Sequence, residues 1–475
     1  MIENYLNTWK IIITAFVISV SAVILIPFSW AAILFIVFLF VIQVHTSKDI
    51  VLFFILTLLV ISGDISEALR GVFNFAAILF FIFIFFNNYG FKISSYPKLS
   101  KYISYYIVLV LASMFLSAVF SSNIAAGFTE ISRLILFFII WYILYSFIDD
   151  DKDLFKYSGV LIASGTIIAL LVIYSFITSS KELFLLETMG LVHEGGIFKN
   201  VAAAGGVLAV SVPLTLIFLL YKNEIKKRLF YFLYVLFFIQ VSGMFLTNSR
   251  AAILAMVVSV AIILFVLKRK LFLKLAVLTL AVSIIAFLVL PVISGSFETY
   301  FRVNRVLQNT RYYLWDMSFG IIKDNPIFGT GPGLFRNFMY SHIPVMLGSW
   351  EEQQIRWVYD LAGMGQPHNF IIFRTAETGI LGLLSAVLLP VVFIFHCFKA
   401  MQNYVDNRKI YFLIIGICAT GIGLFARSFF ESTGLISNGW ISRDLPFWLC
   451  FAMIIHLFAR KKNSVKIVNE NFNTC

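Results

Sequence analysis

Gln366-Pro367-His368-Asn369 places an imidazole just where a long apolar run begins. Proline suits the first turn of a helix, and the polar pair suits a boundary between water and lipid. An imidazole accepts a proton near neutral pH, so His368 is a candidate to activate a hydroxyl, with Asn369 as a substrate-binding neighbour. A histidine at a helix start can equally be a cap or an interfacial residue. Arg374 and Glu377 follow on the same helix. Ionisable groups at that depth are costly unless paired or facing a cavity, so both should point into the bundle, toward substrate or toward each other. Gly379 and Gly382 come next, and small residues there let a neighbouring helix approach closely.

Arg250 ends Thr247-Asn248-Ser249-Arg250, a tight turn between two apolar runs. Such a turn would hold the guanidinium at the membrane surface, at the level of a lipid diphosphate, with Asn248 beside it as a binding candidate. A snorkelling anchor is the plainer reading, but it leaves the Asn-Ser company unexplained. In a longer polar segment, Thr310 to Lys323 reads as a helix with Arg311, Trp315 and Phe319 on one face.

The elements that must position these groups are membrane helices. Of the 475 residues 61% are hydrophobic, 17% aromatic and only 13% charged, and the mean hydropathy is +0.95, which excludes a soluble globular protein. Candidate spans fall at 11–26, 30–44, 50–62, 71–86, 103–120, 131–148, 157–177, 201–221, 229–247, 251–267, 275–293, 370–395, 410–426 and 445–459. The runs are unbroken and not alternating, so helices are expected and not barrel strands. The expectation is an all-α polytopic membrane protein with about 12–14 transmembrane helices and one long folded periplasmic loop. It divides into N-terminal transmembrane helices (1–195), core transmembrane helices (196–293), the loop (294–367), C-terminal transmembrane helices (368–460) and a cytoplasmic tail (461–475).

With the N-terminus inside, alternate connections carry Lys92, Lys98 and Lys101, then Lys222 to Arg228, then Lys268 to Lys274, and finally Arg460 to Lys462. That is the positive-inside pattern. Of 21 lysines only Lys181, Lys199 and Lys323 then lie outside, whereas 11 of 15 arginines do. Orientation bias should deplete both types. Arginine offers a planar, permanently charged fork that fits phosphate oxygens, so its retention outside suggests a phosphate-bearing ligand, although most of these arginines read as headgroup anchors.

Other features carry less. The Gly329-Thr330-Gly331-Pro332-Gly333 turn resembles a phosphate loop only superficially, lacking the Gly-Lys-Ser/Thr ending. Asp149-Asp150-Asp151, near Lys152 and Lys156, reads as a solvated cytoplasmic loop and not a metal site. No outward metal cluster has ligand spacing. The four cysteines lie in or beside the last spans and suggest no disulfide framework. The stretch from Ile11 to Ile26 has no cleavage site after it and reads as a retained helix. The net charge of +12 mainly counts cytoplasmic lysines beside an anionic leaflet, and no nucleic-acid motif lies among them.

Taken together, several segments resemble the O-antigen ligase and O-antigen polymerase superfamily. The best match is His368-Asn369, nine residues, then Gly379-Ile380-Leu381-Gly382. Asn248-Ser249-Arg250, the run from Arg311 and Trp315 into Asp324 to Gly333, and a helix start at Lys199-Asn200 with Pro213 inside the helix add to it. The matched region is roughly 195 to 395. One departure is the turn before Val201, Phe-Lys-Asn-Val where many relatives carry Asn-Pro-Asn.

The resemblance implies a membrane-embedded, metal-independent glycosyltransferase without a cofactor, in a bacterial inner membrane with its active site facing the periplasm. The implied donor is an oligo- or polysaccharide on undecaprenyl diphosphate. The implied acceptor is lipid A-core for a ligase or another lipid-linked glycan for a polymerase. The family's essential arginines would be Arg250 and Arg311 and its essential histidine His368, with Asn200 among the substrate-binding candidates. The competing class is a transporter of the same lipid-linked sugars. It should show an internal repeat and helices broken near the midplane, and neither is visible in the sequence.

Overall fold

The structure is a computed structural model, which describes residues 47–61, 67–179, 201–221, 225–282, 310–346, 348–361, 365–437 and 441–472. In chain order the helices are α1 (Ser47–Ile61), α2 (Glu67–Tyr89), α3 (Lys101–Val119), α4 (Ile124–Ser146), α5 (Asp151–Ser179), α6 (Val201–Leu220) and α7 (Lys227–Thr247). They continue with α8 (Arg250–Leu267), α9 (Thr310–Asp324), α10 (Phe335–Met339), α11 (Trp350–Leu361), α12 (Phe370–Asn403), α13 (Arg408–Ser428) and α14 (Ile441–Phe472). No strand occurs among the described residues. Nine of these helices, α3 to α8 and α12 to α14, are long and apolar enough to cross a membrane. The chain is an all-α, multi-pass membrane protein. The spans expected at 11–26 and 30–44 lie outside the described residues.

Helix boundaries follow local chemistry. The Asn123, Asn369 and Asn407 side chains accept N–H bonds from Ala126, Ile372 and Ile410, capping α4, α12 and α13. The cap at Asn123 starts α4 well before the 131 expected from hydropathy. Between helices, small residues permit close approach: Gly165 of α5 meets Ser211 of α6, Gly243 of α7 meets Ala169 of α5, and Gly205 of α6 meets Ala252 of α8. The one glutamine buried among them is fully used. Gln240 donates to the Ile162 carbonyl at 3.0 Å and to Thr166 Oγ1 at 2.9 Å, and accepts from Thr215 at 2.9 Å. α14 runs through the middle of the bundle, and its Trp448 is fully buried and packed against Trp141, Phe447 and Phe451.

One end of the bundle is tied by charge. Lys48 pairs with Asp149 and Asp153, both at 2.7 Å, and Arg460 with Asp151 at 2.7 Å. The aspartate run, expected as a solvated loop, therefore joins α1, α5 and α14.

At the opposite end, the described part of the long loop is folded, as its helix-like stretch predicts. α9, α10 and α12 share a core of Leu314, Met317, Ile321, Phe335, Met339 and Phe373. The Gly329–Gly333 turn has an unexpected role. α12 is broken at Thr378 and Gly379, where Gly379 takes φ 63° and ψ −150°, a conformation essentially confined to glycine. The carbonyls freed at the break accept from the turn, Ala376 from Thr330 N–H and Glu377 from Gly331 N–H, each at 3.0 Å. In return Ile380 N–H donates to the Pro326 carbonyl at 3.0 Å. A Cβ on Gly379 would overlap the Ile327 carbonyl. Two sequence expectations are thereby corrected. What approaches Gly379 is a loop and not a helix, and the bundle does contain a broken helix. The break is sealed by main-chain bonds from the loop.

Candidate functional site

α8 begins at Arg250 and α12 just after His368-Asn369, and the described part of α9 runs from Thr310. The start of a helix carries partial positive charge, which favours an anion there.

Arg250 is placed by its turn. α7 ends with Asn248 in the left-handed region, φ 50° and ψ 25°, a conformation asparagine tolerates better than most residues. Ser249 and Ala252 then pack on Gly205 of α6, which seats the turn and leaves Arg250 exposed at the first position of α8. Arg311 stands half-buried in the first turn of α9. Burial lowers its pKa, the Glu431 carboxylate opposes that, and the nearby charge of Arg250 adds to the lowering. Two guanidinium groups in electrostatic reach of one another form a site that gains from an anion with several oxygens.

His368 is clamped from both sides. Its own backbone has φ 52°, an uncommon conformation for histidine. On the preceding side the Trp315 indole N–H donates to the Pro367 carbonyl at 2.9 Å. On the following side Asn369 N–H donates to Ser432 Oγ at 3.1 Å, and Asn369 Nδ2 to the Phe429 carbonyl at 3.1 Å. The ring Nδ1 lies 3.5 Å from Glu431 Oε1. Glu431 also accepts from Ser432 N–H at 3.1 Å and from the Thr433 hydroxyl at 3.4 Å. Burial alone would raise the Glu431 carboxyl, but His368, Arg427 and Arg311 hold it down at about 2, so it is a carboxylate at neutral pH.

The loop that carries Glu431 is itself tied down. Arg427 donates to the Thr433 carbonyl at 2.8 Å and to the Ala202 carbonyl at 2.9 Å. Asp444 accepts from Gly434 N–H at 3.1 Å and from the Ser437 N–H and hydroxyl, each at 2.6 Å.

The structure thus brings together His368, Arg250 and Arg311, with Asn248 in the turn beside them. Asn369, expected to bind substrate, and Trp315, expected on the face of Arg311, spend their polar atoms on holding the backbone around His368. Arg374 and Glu377 do not reach the site surface, being 0% and 1% exposed. Arg374 lies in electrostatic reach of Glu377, Tyr106 and Asp444, and Glu377 Oε1 accepts from Gly333 N–H at 3.0 Å, extending the seal at the helix break. Asn200 lies outside the described residues. Sequence reasoning missed Glu431, although it is the one acidic residue between α13 and α14, in a connection already marked by Arg427 and Arg443.

Below the Arg250 turn, α7, α8 and helical residues 269–282 frame a groove of about 620 Å³ lined almost wholly by apolar side chains, among them Val241, Met256, Val260, Leu264, Phe272 and Leu275. Its lining begins on α8 at Met256, six residues after Arg250.

Residues 235–387 match the family described as O-Antigen ligase. This ligase segment encloses Arg250, Arg311, Trp315, His368, Asn369 and the Gly379 break, and so bears out the resemblance read from the motifs. It ends before α13, so Arg427, Glu431 and Asp444 come from outside it. No curated protein matches the chain. The match covers about a third of the chain, within an all-α membrane protein, and is a likeness to that family over this segment.

Proposed function

We propose that the chain is an inverting, metal-independent glycosyltransferase that moves an oligo- or polysaccharide from undecaprenyl diphosphate to lipid A-core at the periplasmic face of a bacterial inner membrane. The observation that carries this reading is the convergence of Arg250, Arg311 and a carboxylate-backed His368 at the mouth of the loop-covered end.

The acceptor hydroxyl oxygen attacks the anomeric carbon while the bond from that carbon to the diphosphate oxygen breaks, and the electron pair leaves with the diphosphate. Arg250 and Arg311 stabilise the charge that grows on the leaving oxygens. With Nδ1 turned to Glu431, the other ring nitrogen, Nε2, receives the proton from the acceptor hydroxyl. Glu431 fixes the ring and stabilises the imidazolium that results. Attack from the face opposite the leaving group inverts the anomeric centre. The two guanidinium groups supply the positive charge that a divalent ion supplies elsewhere. The apolar groove under Arg250 suits the prenyl chain of the donor.

Purified protein incubated with undecaprenyl-diphosphate glycan and lipid A-core should yield glycan-bearing lipid A-core on a gel. Longer lipid-linked chains would instead make the enzyme a polymerase, and absence of any product would overturn glycosyl transfer.

A further inference from the structure

The loop helix α11 presents an outward face that the mechanism does not use. Trp350 is 69% exposed and Trp357 61% exposed. Seven residues apart, they stand two turns from each other on one side of the helix, with Cα atoms about 10 Å apart. Gln353 and Gln354 lie between them on the same outer side. The opposite side is fixed to the protein. Ile355 packs on the Leu314, Met317 and Phe373 core, while Arg356 pairs with Glu352 at 2.7 Å and stacks over the Tyr340 ring at 4.8 Å. The indoles are therefore held out by a helix anchored to α9, which carries Arg311, and to α12, whose capping Asn369 directly follows His368.

Two large aromatic side chains left uncovered by protein on an anchored helix call for an occupant. A membrane surface fits poorly. Interfacial helices place lysine and arginine on their polar face, whereas Trp-Glu-Glu-Gln-Gln-Ile-Arg-Trp-Val-Tyr-Asp-Leu has three acidic residues against one arginine, and that arginine is paired with Glu352. An anionic leaflet would repel it. A sugar chain fits better. The C–H faces of pyranose rings stack on the electron-rich faces of indoles, and carboxamides between the rings can both donate to and accept from hydroxyl groups.

We propose that this face of α11 is a stacking platform for the polysaccharide part of the donor, gripping sugars remote from the reacting one; the proposal rests on the glycosyl-transfer reading. It makes Trp350 and Trp357 binding residues and leaves the chemistry at His368 untouched.

The test uses the detergent-purified full chain and, as probe, polysaccharide released by mild acid from the lipid-linked pool of cells that make the protein. Trp350→Ala/Trp357→Ala should weaken binding of this free polysaccharide at least tenfold, while Trp350→Phe/Trp357→Phe retains most of it. Transfer from a donor bearing one repeat unit should be unchanged in both variants. Equal binding by wild type and the alanine variant, or no binding by wild type, would overturn the platform. So would quenching of these two tryptophans by brominated lipid in reconstituted vesicles, which would make the face a membrane contact. Since the probe carries no lipid and reacts with nothing, polysaccharide binding without any glycan transfer would sink the glycosyl-transfer reading alone, and transfer with undiminished binding by the alanine variant would sink the platform alone.

Discussion

Glu431 Oε1 lies 3.5 Å from Nδ1 of His368, although 63 residues and two membrane helices separate them in the chain. The distance is that of an ion pair and not of a formed hydrogen bond, and in the proposed mechanism the buried carboxylate orients the ring so that Nε2 faces the opening. Glu431→Gln keeps the size and the acceptor for Ser432 while removing the charge. Its transfer rate should fall about 10²-fold with little change in KM, which steady-state kinetics with purified donor and acceptor would show. A loss confined to KM would mean that Glu431 serves binding and not ring orientation.

The same carboxylate makes an acid-stability prediction. Its folded pKa is held at about 2, below the usual carboxylate value of 4.5, by His368, Arg427 and Arg311 acting against burial. A depressed carboxylate contributes stability that is fully present above the unfolded pKa and lost as pH falls through the folded one. Thermal unfolding of the detergent-solubilised protein should therefore show a loss of about 3 kcal/mol between pH 4.5 and 2 that is missing from Glu431→Gln. Identical acid profiles would contradict the charged pairing.

Trp315→Phe removes the indole N–H that holds the Pro367 carbonyl and keeps most of the ring. Stability should drop by about 1 kcal/mol, the net worth of one such bond. Turnover should fall about tenfold because the His368 backbone is released on one side, and a wild-type turnover number would show that Asn369 alone suffices to place it.

Gly379→Ala should be more damaging than its size suggests. The added methyl meets the Ile327 carbonyl, and the backbone conformation at φ 63°, ψ −150° is closed to alanine. A stability loss of at least 1–3 kcal/mol is expected, together with loss of transfer. Gly382→Ala is a useful comparison, since its neighbours are Thr378 and the Arg374 carbonyl of the same helix, so the loop seal itself is untouched. Equal damage from both would mean that crowding within α12, and not the loop seal, sets the cost.

Much of this was legible in the sequence, and the remainder was hidden for identifiable reasons. Hydropathy found the nine described helices that are long and apolar enough to cross, because lipid admits little besides apolar helices. Asn248, Arg250 and His368 drew attention because their side chains suit phosphate binding or proton transfer and fall at span ends, where a lipid headgroup would lie. The seal between Gly329–Gly333 and Gly379 was invisible because it is made of main-chain bonds, which any sequence can offer. Glu431 was missed because its meaning depends on a tertiary contact with His368. Arg374 and Glu377 looked like ligands for the same reason that they are buried: a helix interior and a substrate cavity impose the same cost on a charge, and only packing distinguishes them.

The most direct measurement of the central claim is a single-turnover transfer assay in EDTA, from undecaprenyl-diphosphate glycan to lipid A-core, comparing wild type with His368→Ala and Arg250→Ala. Wild type should transfer undiminished by EDTA, both variants should lose at least 10²-fold in rate, and donor binding should weaken in Arg250→Ala but persist in His368→Ala. Wild-type rates in either variant, or abolition of wild-type transfer by EDTA, would contradict the assignment.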